Sequence, residues 1–202
     1  MIDRSDAGAA RRIQRYGSMN ASMSCVEALY AENANPVTSL MAEEGIRALA
    51  GSLPGIAKDP VTLETRGDAL YGAWLAGLSL AAVGMALHHK LCHTLGGSFN
   101  LPHAETHTIV LPHAVAYNSA AAPEAMQRIA RALGARDSAT GLYDLAAMIG
   151  APLALKEIGL REQDLDQAAD IATRNPYYNP RAVTREGIRR LLEDAFHGRR
   201  PA

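Results

Sequence analysis

No stretch of this chain alternates apolar and polar residues in a run rich in Val, Ile and Thr, so strands are not expected. Its apolar residues recur instead every three or four positions, the spacing of a helix with one buried face. Ala21 to Tyr30 reads as a short first helix. Val37, Leu40, Met41, Ile46, Leu49 and Ala50 then follow Asn35 and Pro36, a capping residue and a proline suited to the first helical position. That helix is predicted to stop before Pro54. Pro60 is predicted to open a longer one whose Leu63, Leu70, Tyr71, Trp74, Leu75, Leu78 and Leu80 form its core-facing side, with a break near Gly84. Further helices are expected from His103 to Asn118, kinked or shortened by Pro112, from Pro123 to Gly134, and from the Asp137-Ser138 cap to Met148. Glu162 to Arg174 and Thr184 to His197 complete the set. The expected fold is an all-α helical bundle.

Apolar content of 48% with only 5% aromatic residues supports helices rich in Ala and Leu. A net charge of -1 gives no electrostatic case for nucleic acid or for an anionic membrane. The longest apolar stretch, Ala73 to Leu87, is shorter than the ~18–20 residues of a membrane span. The first residues lack the pattern of a signal peptide, and Cys25 and Cys92 are too few for a disulfide framework. The expectation is a reduced, cytoplasmic protein in which residues 1–18 are an N-terminal arm and residues 19–202 one helical domain.

Six of the seven histidines lie between His88 and His113. Imidazole titrates near neutrality, so such a cluster suits proton transfer or metal binding. His89 and His93 are four apart and share a helical face. The Gly96-Gly97 pair is predicted to end their helix, letting the chain return through Pro102 to His103 and His107. A zincin motif is excluded, because its general-base Glu would stand where Lys90 does. Cys92 reads as a buried inert thiol and His113 as structural.

The stretch from Gly84 through His88-His89-Lys90-Leu91-Cys92-His93-Thr94-Leu95-Gly96-Gly97 to Pro102-His103-Ala104-Glu105-Thr106-His107 resembles the signature of the maleylacetate reductases. These belong to the iron-containing alcohol dehydrogenase superfamily, distant relatives of dehydroquinate synthases. Asn35-Pro36, Ala42 to Arg47, Asp68 to Trp74 and Asn175 to Arg181 extend the resemblance over roughly residues 19–198. It implies the superfamily's C-terminal helical domain without the α/β domain that binds nicotinamide. The chain itself has no Gly-rich turn between a strand and a helix. No cofactor is therefore expected on this chain alone, and NADH or NADPH would need a separate nucleotide-binding chain.

The resemblance also implies a degenerate metal site. The superfamily's Asp and His one helical turn apart align with Asn20 and Ser24, and its two further His with His89 and His103. That donor set predicts no resident metal. The resemblance implies His93 as the acid that protonates an enolate, with His89, His103 and His107 catalytic around it and Asn20 and Ser24 as substrate-binding candidates. Lys90 and Glu105 read from their place beside the histidines either as further substrate-binding residues or as surface or supporting ones. Two enzyme readings follow: a reductase-like domain acting on a small carbonyl or dicarboxylic acid, or a cofactor-free acid–base enzyme such as an isomerase, lyase or cyclase. A non-catalytic module is a third reading. A homodimer is expected, since the apolar segment from Leu63 to Leu80 would lose its cover without the nucleotide domain.

Overall fold

The computed structural model describes residues 24–58, 61–175 and 177–202. Residues 24–28 are helical (α1), followed by α2 (Pro36–Ile56), α3 (Leu63–Ala82), α4 (Leu87–Phe99) and α5 (His103–Asn118). Then come α6 (Pro123–Leu133), α7 (Ser138–Met148), α8 (Leu165–Thr173) and α9 (Arg185–His197), with short 3-10 turns at Ser119–Ala121, Leu155–Ile158 and Glu162–Asp164. No strand occurs among the described residues. The all-α expectation holds. The 1–18 arm and Asn20 lie outside the described residues.

Local chemistry sets most helix ends. The Asn35 side chain accepts hydrogen bonds from the Val37 and Thr38 amides, and the Thr38 hydroxyl accepts one from the Asn35 amide. Asp137 caps α7 as expected, and Gly134 closes α6 in a left-handed conformation. Several boundaries differ from the sequence reading. Helix α2 continues through Pro54 to Ile56, because a proline near the last turn sacrifices only one hydrogen bond. Helix α3 starts behind Thr62, which caps the Thr65 amide; Pro60 lies outside the described residues. Helix α4 runs through Gly96 and Gly97 to Phe99 and is closed by Asn100, whose φ of 53° is a left-handed conformation asparagine tolerates. Helix α5 carries Pro112 internally and reaches Asn118. The Glu162–Arg174 segment divides into a 3-10 turn and α8.

Helix α5 is the axis of the molecule. Its Leu111 and Val115 join a core made with α1, α2, α6 and α7. Its Ile109, Val110 and Tyr117 join a second core with α4, α8 and α9. Helix α3 packs chiefly along α2, through a seam of mostly small residues: Ala69, Gly72, Ala76 and Ser79 are buried there together with Leu75. A Cβ on Gly72 would lie 2.6 Å from Leu49 Cγ, so the approach of α3 to α2 requires that glycine; one on Gly45 would lie 3.3 Å from Leu75 Cβ of α3 and 2.6 Å from Cys25 Sγ of α1.

This seam reverses the expected facing of α3. Leu63, Leu70 and Trp74 are 87%, 71% and 61% exposed, and Tyr71, Leu78 and Leu80 are exposed as well; of the expected core stripe only Leu75 is buried. The bulky side chains point away because only the small-residue face lets the two backbones meet. No single helix among the described residues is long and apolar enough to cross a membrane.

Candidate active site

Helix α4 has no cap from its own sequence; its N-cap residue is Ala86. A carboxylate from α1 fills that role. Glu27, fully buried, accepts hydrogen bonds from the Ala86 amide (3.1 Å) and the His88 amide (2.7 Å). The same carboxylate is 2.6 Å from His89 Nδ1. Burial alone would raise the Glu27 pKa. The hydrogen bond to His89, the neighbouring His88 and His89 rings and the Ala86 amide outweigh it and hold the carboxyl below its usual range.

One turn on, the α4 and α5 histidines interleave. The fully buried His88 donates from Nε2 to the His107 carbonyl (3.1 Å), with Cys92 Sγ at 3.4 Å from the same nitrogen. Burial pushes the His88 pKa down to about 4 and the Cys92 thiol well above its ordinary value. The His103 and His107 rings are 4.1 Å apart, and His107 lies 5.5 Å from His89 and 5.0 Å from His88. His107 is buried, and its ring nitrogens have no hydrogen-bond partner among the described residues. Burial first, then the crowd of neighbouring imidazoles, drives its pKa far below the ordinary value. His93 is exposed, its ring 6.3 Å from that of His89; burial of part of the ring and the nearby His89, His103 and Lys90 lower its pKa too.

These groups border one cavity of about 680 Å³. Helices α4 and α5 supply His89, Lys90, His93, His103 and His107, and Ser24 comes from α1. The opposite wall is apolar, from Ala73, Ala76, Gly77 and Leu80 of α3 with Met85. Tyr177 closes the remaining side, the Lys90 ammonium standing 5.7 Å from its ring centroid. A cationic and imidazole-rich rim facing an apolar wall suits a small anionic molecule with a short carbon skeleton.

Of the residues singled out in the sequence, His89, His93, His103, His107, Lys90 and Ser24 meet at this cavity. Glu105 is half-buried on α5 and does not line it, and Asn20 lies outside the described residues. Cys92 is buried as expected, and so is His113, whose pKa burial lowers to about 4. Sequence reasoning missed Glu27, His88, Tyr177 and the α3 wall. Glu27 had a signal: it is the one charge in the apolar run from Cys25 to Tyr30.

Among the described residues the donor set for an iron ion is incomplete. Its positions by resemblance, His89 and His103, are joined here by the Ser24 hydroxyl, a weak ligand. Two groups of potential ligands have their atoms within 4.8 Å of one another: His88, Cys92 and His107, and Glu27, His88 and His89. Either could hold an ion by distance alone, but neither includes His103. In the second, Glu27 already accepts three hydrogen bonds. The residues described do not rebuild an iron site at His89 and His103.

Residues 14–196 match the model of the Fe-containing alcohol dehydrogenase family, C-terminal. The chain is 56% identical over 184 residues to a maleylacetate reductase of Burkholderia cepacia, an alignment covering 91% of this chain and 52% of that enzyme. Its fold superposes on the crystal structure of maleylacetate reductase from Rhizobium sp. strain MTP-10005 with a TM-score of 0.91 and 50% identity, covering 94% of this chain and 54% of that one. On a putative alcohol dehydrogenase from Ralstonia eutropha JMP134 the TM-score is 0.90 at 62% identity, covering 93% and 53%. The chain thus spans about half the length of the relatives it matches. It belongs to the Fe-containing alcohol dehydrogenase family, whose helical C-terminal domain it carries.

Proposed function

We propose that this domain is the substrate-binding and proton-handling half of a maleylacetate reductase-like site acting on a small carbonyl or dicarboxylic acid. The observation that carries the reading is the convergence of Lys90 and four imidazoles on one cavity with an apolar wall. Lys90 would pair with a substrate carboxylate. His107, with His103 beside it, offers an N–H donor to a carbonyl whose oxygen gains negative charge during reaction. His93, exposed to the cavity with a lowered pKa, rests neutral at pH 7 and can take a proton from carbon or pass one on. Bound to a nucleotide domain, whether on a separate chain or in a longer polypeptide, NADH or NADPH would supply hydride to the conjugated carbon–carbon double bond. His93 is the group placed to protonate the enolate that results.

A second reading needs no cofactor. Proton transfer alone suffices for isomerisation or elimination at a carbon beside a carbonyl, and the weak donor set at Ser24, His89 and His103 favours it over metal chemistry. One experiment tests the shared core of both. In D₂O without nicotinamide, the chain should bind a β-keto dicarboxylate such as 3-oxoadipate and speed exchange of its α-hydrogens, followed by NMR. His93→Ala should cut the exchange rate by roughly 10²–10⁴-fold. Lys90→Met should weaken binding by about 10–100-fold, the loss of one charge-assisted contact. No binding of any dicarboxylate would sink the proposal; binding with full exchange in His93→Ala would move the proton role elsewhere.

A further inference from the structure

The Glu27 carboxylate reaches His89 from 62 residues away in sequence, and it is buried completely. Capping α4 needs only its contacts with the Ala86 and His88 amides. The third contact, 2.6 Å to His89 Nδ1, is the shortest of the three and does nothing for the helix end. We infer that Glu27 is a positioning residue, which fixes the proton of His89 on Nδ1 and thereby presents Nε2 to the cavity.

An ionised carboxylate has no proton to give, so the ring nitrogen facing it must be the donor. Both Glu27 oxygens are already committed to amide donors, which holds the carboxylate in register and the ring in one orientation. His89 Nδ1 therefore stays protonated, and Nε2, which has no partner among the described residues, is the atom left for whatever occupies the cavity. His88, the adjacent residue, is fixed the opposite way: its Nε2 faces the His107 carbonyl and must carry the proton. Neighbouring histidines on α4 are thus locked in opposite tautomers, one turned into the structure and one towards the cavity. A carboxylate behind an imidazole is also the arrangement that orients metal-binding histidines. Here it persists although the donors around His89 do not complete a metal site.

The inference rests on the proposed proton-handling site only for its catalytic consequence. Nitrogen NMR of the full chain labelled at histidine tests it directly, with His89→Asn used to assign the signals. At a pH where the ring is uncharged, wild-type His89 should show a protonated Nδ1 and an unprotonated Nε2. In Glu27→Gln a single oxygen must serve three donors, and the Nε2–H form, ordinarily favoured by a free imidazole, should become the majority. If the role were capping alone, Glu27→Gln would lower the melting temperature and leave the tautomer unchanged; that result overturns the inference. So does a wild-type His89 that carries its proton on Nε2. Should Glu27→Gln not fold, Glu27→Asp, which draws the carboxylate back by one methylene, takes its place with the same expected change. In the exchange assay the folded variant should lose about 10–100-fold in rate, while dicarboxylate affinity changes less than threefold. Failure of the wild-type chain to bind a dicarboxylate would sink the functional proposal and leave the tautomer result standing.

Discussion

Helices α3 and α5 are alike in sequence and opposite in circumstance. Both are long and apolar, and both carry residues of the cavity wall. From Thr106 to Asn118 every position of α5 except Ala116 is buried, because α4, α7 and α9 enclose it. Helix α3 touches mainly α2 and turns its largest apolar side chains outward. Hydrophobicity states that a helix wants a neighbour, and the seam it can make decides which face receives one. A bulky residue is therefore structural on α5 and available for association on α3.

The comparison breaks if α5 tolerates truncation. Leu111, fully buried between two layers, should lose about 2–5 kcal/mol on replacement by Ala, read from denaturant unfolding. A loss comparable to that of an α3 surface residue would mean the α5 environment is looser than its burial states.

Acid should separate the helices next. His113 of α5 is 5% exposed and its pKa is lowered to about 4 from 6.5. Between those values the unfolded chain binds the proton and the folded chain does not. Stability from this group is therefore complete above pH 6.5 and declines as pH falls towards 4, by an amount on the order of 3 kcal/mol. His113→Gln should flatten that part of the stability–pH curve relative to the wild type. An unchanged slope would show that folding does not shift the His113 pKa.

Two glycines sharpen the account of α3 itself. Gly72→Ala would place its methyl against Leu49, 2.6 Å from Cγ and 3.1 Å from the backbone nitrogen, and should cost about 1–3 kcal/mol. Gly67→Ala meets nothing within 4 Å in the same helix and should stabilise by roughly 0.5–1 kcal/mol. Equal effects in thermal unfolding would refute the seam.

The smallest effect on folding should come from the outer face of α3. Replacing Trp74 and Leu78 by Ser should change monomer stability by no more than about 0.5 kcal/mol each. The same pair should reduce self-association, since a second copy of the chain is the proposed cover for this face. Light scattering at micromolar concentration distinguishes the outcomes: a dimer that falls to monomer in the double variant supports it. A wild-type monomer would show that a second copy does not cover this face.

Much of this molecule was legible in the chain. Helical spacing, the Asn35 and Asp137 caps, and glycine or proline at the ends specify the helices locally, because each signal acts within a few residues. The histidine run foreshadowed the cavity that four of its rings line, since i, i+4 spacing on α4 and the return through Pro102 are themselves local. Three decisions lay beyond it. The helix carrying His89 and His93 outlasted its glycines, as tertiary packing outweighs the modest cost of glycine in a helix. The buried face of α3 was set by small residues that let α2 approach, which a count of large apolar side chains points away from. The role of Glu27 depended on a contact spanning 62 residues, where only the folded chain brings a desolvated carboxylate to a helix end and an imidazole together. Signals local to the chain specified the helices and gathered the histidines. Tertiary structure decided which rings are buried neutral, which nitrogen of His89 faces the cavity, and which apolar surface is left uncovered, because burial and long-range hydrogen bonds exist only once the helices have packed.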